Sequence, residues 1–311
     1  MSKLLVTGAN GFVGQHLVKE LADNGLPVIA VAGSQRTANN DQRVENYLTL
    51  DLTKPEEAKK IDFTGIDGVI HLAGLAAVGP SFDRPLYYVT TNVGIETNLF
   101  NAALTQKAFP RFLIISSGSL YDPAGTMPIT EASPILPGSP YAVSKLAQEH
   151  MAQYFSKRGF ESLIARPFNH IGPGQNPGFI VPDLAKQVVD VERGTADKVM
   201  VGNLASQRDY TDVRDIARAY RLLLEKGRSG EIYNICSGTS RSGQELLEGL
   251  LKSSEKQPVV EQDPAKLRPG EGADIIYGNH DKLTADTGWQ PEITIEKTLS
   301  DVIDDYRSRS S

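Results

Sequence analysis

Short apolar runs, punctuated by glycine and proline and separated by longer mixed stretches, set the texture of this chain. Residues 3–7 (Lys-Leu-Leu-Val-Thr) read as a strand buried on both faces. Glycines follow at once, and then an amphipathic helix with Leu17, Val18 and Leu21 on one face, ending at Asn24-Gly25. Apolar runs at 28–32, 69–73, 112–116 and 162–166 read as further strands, with helical patterns at 54–61, 86–107 and 141–158 among them. Strands buried on both faces that alternate with helices predict an α/β fold built on a doubly wound parallel sheet.

The texture changes after Arg166. Pro167, Pro173, Gly174, Pro177, Gly178 and Pro182 predict a loop-rich segment that leaves the sheet. Helical patterns at 183–193, 212–226 and 243–252 follow, separated by short strand candidates, and only Arg307–Ser311 looks frayed. The expected division is a first domain over 1–168, built on the large sheet, to which 206–236 returns. A smaller α/β domain, 169–205 with 237–311, then packs across the strand ends and binds substrate.

Composition narrows the classes. A chain of 311 residues, 40% apolar and 23% charged, is ordinary globular usage. The net charge of −6 argues against a nucleic-acid surface. The single cysteine, Cys236, forms no internal disulfide and reads as a buried strand residue. No window approaches the roughly 18 apolar residues of a membrane helix. The first apolar run stops at Thr7-Gly8, too early for a signal peptide, so a cytoplasmic location is expected. The five histidines lack paired spacing, and no metal site is expected.

Gly8, Gly11 and Gly14 occupy the first strand-to-helix turn, where a dinucleotide needs a tight turn, a close backbone approach and a helix N-terminus facing the phosphates. This places a Rossmann-type site at the chain's start and makes 1–168 the expected dinucleotide-binding domain. An NAD-preferring site puts an acid at the end of the second strand; here the stretch is Ala32-Gly33-Ser34-Gln35-Arg36. A hydroxyl and a guanidinium suit a 2′-phosphate, so NADP(H) is expected in preference to NAD(H), with Ser34 and Arg36 at the phosphate. The competing reading is that Arg36 points to solvent from a polar loop. Asp51 and Leu52 are placed to meet adenine, and Leu72-Ala73-Gly74 to run beneath the cofactor.

Tyr141 and Lys145 stand one helical turn apart and share a face. A free phenol has a pKa of about 10, and a nearby ammonium is expected to pull it toward neutrality. Ser117 ends a strand, where open α/β sheets put their chemistry.

Gly8-x-x-Gly11-x-x-Gly14, Ser117, Tyr141-x-x-x-Lys145 and Arg208-Asp209-Tyr210 together resemble the extended short-chain dehydrogenase/reductase family. Arg166-Pro-Phe-Asn-His-Ile-Gly-Pro-Gly-Gln175, Arg208–Ile216, Tyr233–Gly238 and Leu267-Arg-Pro269 look like its GDP-6-deoxy-4-keto-mannose reductases, over nearly the whole chain. The resemblance implies that Ser117 bonds the sugar C4 oxygen, Tyr141 exchanges its proton and Lys145 holds the nicotinamide ribose. It also implies Phe12, Val13 and Asn92 at the cofactor, and Ser119, Asn169 and Glu271 at the sugar or its phosphate. Arg208 and Arg268 would neutralise the diphosphate; without the motif they read as surface arginines. His170 is as readily structural as catalytic. A homodimer on the helices 86–107 and 141–158 is implied too, although burial against the sheet explains the same apolar pattern.

Related 4,6-dehydratases carry acidic residues after the catalytic hydroxyl, whereas this chain has Gly118 and Ser119, so dehydration is excluded. Asp122 replaces the family's usual glycine after tyrosine. The expected activity is NAD(P)H-dependent reduction of the C4 ketone of a nucleotide-linked 4-keto-6-deoxyhexose. The product is a GDP-6-deoxyhexose such as GDP-rhamnose, or its C4 epimer. The rivals are a nucleotide-sugar 4-epimerase with retained NAD, against which the missing acid weighs, and a non-catalytic cofactor-sensing scaffold, which has little need of the tyrosine–lysine pair.

Overall fold

Seven parallel strands carry the fold. The structure, a computed structural model, describes residues 3–34, 44–266 and 275–309. From the N-terminus run β1 (Lys3–Thr7), α1 (Phe12–Asp23), β2 (Val28–Ala32), β3 (Val44–Thr49), α2 (Pro55–Ala58), β4 (Ile66–His71), α3 (Gly79–Asp83), α4 (Pro85–Thr105) and β5 (Arg111–Ile115). A short 3₁₀ turn at Gly118–Leu120 precedes α5 (Pro140–Ser156), β6 (Ser162–Pro167), β7 (Asn169–Ile171), α6 (Ile180–Arg193), β8 (Lys198–Val201) and β9 (Gln207–Asp212). The chain continues through α7 (Val213–Lys226), β10 (Ile232–Ile235), β11 (Ser240–Ser242), α8 (Gly243–Lys252), β12 (Val259–Gln262), β13 (Ile275–Ile276), α9 (Asp281–Thr287) and α10 (Ile295–Ser308).

The large sheet has the order β10-β6-β5-β4-β1-β2-β3. The winding runs outward from β1 to β3, then reverses at β4. The crevice between the ends of β1 and β4 is therefore the switch point where such sheets bind ligands. Side chains alternate across the sheet as strand geometry demands. Leu4 and Val6 pack with Leu17 and Leu21 of α1 and with Ile216 and Leu223 of α7. Leu5 faces the other way, into a core with Leu99 and Phe100 of α4 and Phe155 of α5.

β7, β9, β11 and β13 form a second, small sheet, and β8 pairs with β12. Val188 of α6, Leu247 of α8 and Ile303 of α10 share a separate core. Residues 206–236 divide between the two: β9 lies in the small sheet, while β10 joins the edge of the large one. The sequence reading named no helix beyond 252, yet α9 and α10 are present. Thr294 caps α10, and Leu299, Val302, Ile303 and Tyr306 fall on one buried face, so the helical signal was there. Nor is the last turn of α10 frayed: Arg307 donates to both carboxyl oxygens of Glu192 on α6, at 2.8 and 2.9 Å. β4 starts at Ile66, three residues ahead of its expected start, because Gly68 hides the pattern by lying beneath Leu4 and Leu224.

A charged pair lies inside the large sheet. Arg166 of β6 is 1% exposed and meets Glu149 of α5 as a fork, at 2.8 Å from Nε and 2.7 Å from Nη2. Ser116, after β5, donates to the same carboxylate, and Arg166 also donates to the Tyr121 hydroxyl, which in turn donates to Asn234 of β10. Removing one partner of a buried pair leaves the other charge stranded. Arg166→Met is expected to cost about 3–5 kcal/mol of unfolding free energy, read from urea denaturation; a loss within experimental error would remove the pair from the list of fold determinants.

Candidate active site

The turn after β1 builds one wall. Gly8 has φ +69°, and a Cβ there would lie 2.8 Å from the Ala73 nitrogen, so only glycine lets β1 and the segment after β4 approach this closely. A Cβ on Gly14 would sit 2.2 Å from the Gly8 carbonyl oxygen, which is what seats α1 on the turn. Gly11 precedes α1 with no side-chain cap. The first N–H groups of the helix are left for a ligand, and with the helix dipole they suit a diphosphate. Val13 packs into the core under α1, and Phe12 stacks on the His170 ring at 6.1 Å.

Ser34 follows β2 and is exposed. Its backbone carbonyl accepts a hydrogen bond from the Asn10 amide at 3.2 Å, with the Ser34 hydroxyl 3.5 Å from the same nitrogen. Sequence reasoning passed over Asn10; its position between Gly8 and Gly11 was the available signal. Arg36, Arg268 and Glu271 lie outside the described residues. Asp51 is exposed and receives bonds from the Thr53 nitrogen and hydroxyl, which hold its carboxyl below the usual range, while Leu52 is buried beside it.

The strand β4 ends at His71, so Leu72, Ala73 and Gly74 run free of it along the crevice. Thr7 fixes their path: its hydroxyl meets His71 Nδ1 at 2.8 Å and accepts from the Ala73 nitrogen at 3.1 Å. Burial drives the His71 pKa down to about 3, with Lys145 acting in the same direction, so this imidazole stays neutral. Asn92 is fully buried, and its side chain accepts from the Leu75 nitrogen at 2.7 Å and donates to Ser144 at 2.8 Å. It therefore shapes the Gly74–Leu75 floor and ties α4 to α5.

The opposite wall carries the titratable groups. Ser139 caps α5, accepting from the Ala142 nitrogen, and Pro140 opens the helix, so Tyr141 and Lys145 stand on its first turns. Lys145 lies 5.9 Å from the centre of the Tyr141 ring and donates to the Ile115 carbonyl at 2.8 Å. Burial lowers the Lys145 pKa to about 8, against the opposing pull of Glu96 and Glu149. The expected depression of the Tyr141 pKa is not found. Burial pushes the phenol above its ordinary value, and hydrogen bonding to Ser117 is what opposes the rise. The reason is geometric, since the ammonium is turned toward a backbone carbonyl and both groups are desolvated.

Ser117 and Ser119 place their hydroxyls 2.9 Å apart across the 3₁₀ turn. Gly118 between them meets Phe168, whose ring would lie 3.0 Å from any Cβ at this position. No acid fits there without moving Phe168. Asp122 begins an ordinary turn, its carboxylate accepting from the Ala124 nitrogen at 2.9 Å.

Asn169 and Arg208 sit on the neighbouring strands β7 and β9, where Asn169 is in register with Tyr210. Arg208 donates to the Gln207 carbonyl at 2.8 Å. Asp209 beside it points inward and accepts from the Ser237, Gly238 and Gly278 nitrogens, so this member of the Arg-Asp-Tyr motif organises loops. His170 gives its Nδ1 proton to the Phe168 carbonyl at 3.0 Å, and burial keeps the ring neutral. Cys236 is buried just past β10.

Residues 4–236 match the NAD dependent epimerase/dehydratase family. The chain belongs to that family. It is 36% identical to the GDP-6-deoxy-D-mannose reductase of Pseudomonas aeruginosa, across 99% of this chain and 98% of the relative. The solved structure of RMD from Pseudomonas aeruginosa complexed with NADPH superposes over 100% of both chains, with a TM-score of 0.89 and 35% identity. The UDP-glucose 4-epimerase of Thermus thermophilus in complex with NAD is 27% identical, covering 99% of this chain and 100% of that one, with a TM-score of 0.84.

The lysine gives a pH expectation. An ammonium whose pKa is lowered to about 8 is present below that pH and lost above it. Turnover (kcat/KM) is expected to fall tenfold per unit once the pH passes Lys145, while a profile flat to pH 10 would free Lys145 from any charged role.

Proposed function

We propose that this protein reduces the C4 ketone of a GDP-linked 4-keto-6-deoxyhexose, of the mannose type, to a GDP-6-deoxyhexose such as GDP-rhamnose or its C4 epimer. The observation that carries the reading is the convergence of Ser117, Tyr141 and Lys145 beside the crevice floored by Gly8 and Ala73. The family relationship, the likeness to a GDP-6-deoxy-D-mannose reductase and the structure with NADPH support it. Residues 1–168 hold the dinucleotide, with Gly8, Gly11, Phe12, Val13 and Gly14 at the diphosphate and Ser34 with Arg36 at a 2′-phosphate. Asp51 and Leu52 face the adenine, and Leu72, Ala73 and Gly74 pass beneath, their course set by Asn92. Residues 169–205 and 237–311, joined by β9, form the sugar side, with Asn169, Arg208, Arg268 and Glu271 toward the diphosphate and sugar.

When bound, a reduced nicotinamide supplies the hydride. Tyr141 gives the proton to the sugar C4 oxygen. A phenol pushed above its ordinary pKa remains protonated at neutral pH, which is the form that a reduction needs. Ser117 and Ser119 donate hydrogen bonds to the same oxygen as negative charge develops on it. Lys145, anchored by Ile115, holds the ribose hydroxyls and supplies a positive field.

The test is a panel of GDP-, dTDP- and UDP-linked 4-keto-6-deoxy sugars with NADPH or NADH, with products identified by NMR. The GDP sugar with NADPH is expected to turn over best, and Tyr141→Phe to lose at least 10²-fold in kcat, at the low end of what general acid catalysis contributes, with NADPH affinity retained. No oxidation of NADPH with any of these sugars would defeat the reading, and NAD copurifying stoichiometrically would favour the epimerase that the Thermus likeness keeps in view.

A cytoplasmic homodimer completes the proposal. Phe82 of α3 and Leu86 of α4 are 60% and 74% exposed, and Tyr87, Val143 and Tyr154 extend this apolar face over α4 and α5. A second copy covering it would close a four-helix bundle; light scattering that reports a monomer at micromolar concentration would remove the dimer.

A further inference from the structure

Phe12 and His16 stand one turn apart on α1 and share a face, their rings edge to face at 5.8 Å. The helix buries Leu17, Val18 and Leu21 with Leu4 and Val6 of β1. Phe12 and His16 form a second stripe, and it meets a different partner. Phe12 lies nearly parallel to the His170 ring of β7, at an interplanar angle of 9°. His16 Nε2 donates to the Pro173 carbonyl at 2.8 Å. A carbonyl only accepts, so the proton sits on Nε2, and burial holds the ring below its ordinary pKa, hence neutral. Gly174 follows so closely that a Cβ on it would lie 3.9 Å from the same nitrogen.

The segment these rings touch is held from the other side. β7 pairs along β9, with Asn169 opposite Tyr210 and His170 opposite Thr211. Beyond it, the Gly174 nitrogen donates to Asp305 of α10 at 2.9 Å, and the Gln175 carbonyl accepts from the Tyr306 hydroxyl and from Arg309, both at 3.0 Å. The Gln175 side chain donates back to the His170 carbonyl at 3.4 Å. Residues 169–175 are therefore tied to the small sheet and α10, and Phe12 and His16 reach them from α1. Asn169 is exposed and adjoins His170 in the chain. Phe12 opens the first turn of α1, whose N–H groups suit the cofactor's diphosphate. The two ligands thus take opposite ends of one contact.

We propose that His16 is a positioning residue that couples the cofactor to the nucleotide sugar. A ligand shifts a structure only as far as it binds one arrangement better than another. Phosphates on the first N–H groups of α1 favour the arrangement in which that turn is ordered, and Phe12 with it. The stack of Phe12 on His170 and the bond from His16 to Pro173 carry the preference to β7 and Asn169. A nucleotide sugar that engages β7 favours the same arrangement from the other end, so each ligand tightens the other by one common factor. The sugar half of this coupling rests on the reductase reading; the cofactor half, in which NADPH sets residues 169–175, does not.

His16→Phe keeps a ring beside Phe12 and removes the donor, while His16→Gln gives a donor back. GDP is titrated by calorimetry into the wild type with and without saturating NADPH. It is expected to bind about tenfold more tightly with NADPH present, within the usual range of coupling between sites. In His16→Phe that ratio is expected to fall to about one, with GDP alone bound as in the wild type, and His16→Gln is expected to recover most of it. Hydrogen exchange read by mass spectrometry covers the cofactor half. NADPH is expected to slow exchange across residues 169–175 in the wild type and in His16→Gln, and far less in His16→Phe. A wild-type ratio of one would overturn the proposal. So would exchange that NADPH leaves unchanged in the wild type, or slows equally in His16→Phe with only the melting temperature altered, since His16 is then a packing residue. If GDP does not bind the wild type, the GDP reading fails, and the exchange data still decide the role of His16.

Discussion

The fork between Arg166 and Glu149 is the interaction on which the rest of the site depends. It joins the helix that carries Tyr141 and Lys145 to β6, and through Ser116, Tyr121 and Asn234 to the ends of β5 and β10. A parallel sheet fixes where strands end but leaves a covering helix free to slide by fractions of an ångström. Proton transfer does not tolerate that freedom. A bidentate ion pair in a dry interior resists sliding because every displacement strands a charge.

The same control of charge runs through the whole crevice. His71 is kept neutral by burial, Tyr141 is kept protonated, and Lys145 is poised near pH 8. The polar groups at the floor, Thr7 and Asn92, direct their hydrogen bonds to backbone and to neighbouring elements. What faces the crevice is the uncapped start of α1 and the linked hydroxyls of Ser117, Ser119 and Tyr141. A reducing site needs little more from a protein than this, because a nicotinamide brings the difficult chemistry.

Much of this was legible in the chain's pattern, and the exceptions have physical causes. Apolar runs exposed the sheet because its strands are buried on both faces, and the glycine spacing placed the turn after β1 because backbone proximity leaves no alternative residue. Of the small sheet, β7 falls inside the loop-rich segment, while β9 (Gln-Arg-Asp-Tyr-Thr-Asp) and β11 (Ser-Arg-Ser) are too polar to announce a period, so the sequence offered short strand candidates without their pairing. α10 carried its period openly but lay behind a proline-containing linker and a polar tail that drew attention away. The tuning of Tyr141 could not be read at all: four-residue spacing says that two side chains share a face, whereas the direction of the ammonium is set by the Ile115 carbonyl, contributed by a strand thirty residues earlier. Glu149 and Glu96 were silent for a similar reason, since burial of an acid depends on partners from other elements.

The contact of Gly118 with Phe168 bears on how this chain could change its chemistry. A carboxylate placed at 118 to abstract a sugar proton would drive Cβ into the Phe168 ring, and that ring is wedged in turn against Gly278 and beside Tyr121. A single substitution at 118 therefore asks the ring to give by a few tenths of an ångström. The step from reduction to dehydration asks for acids at both 118 and 119 and for Phe168 to give way beside the first of them, so no single substitution joins the two activities.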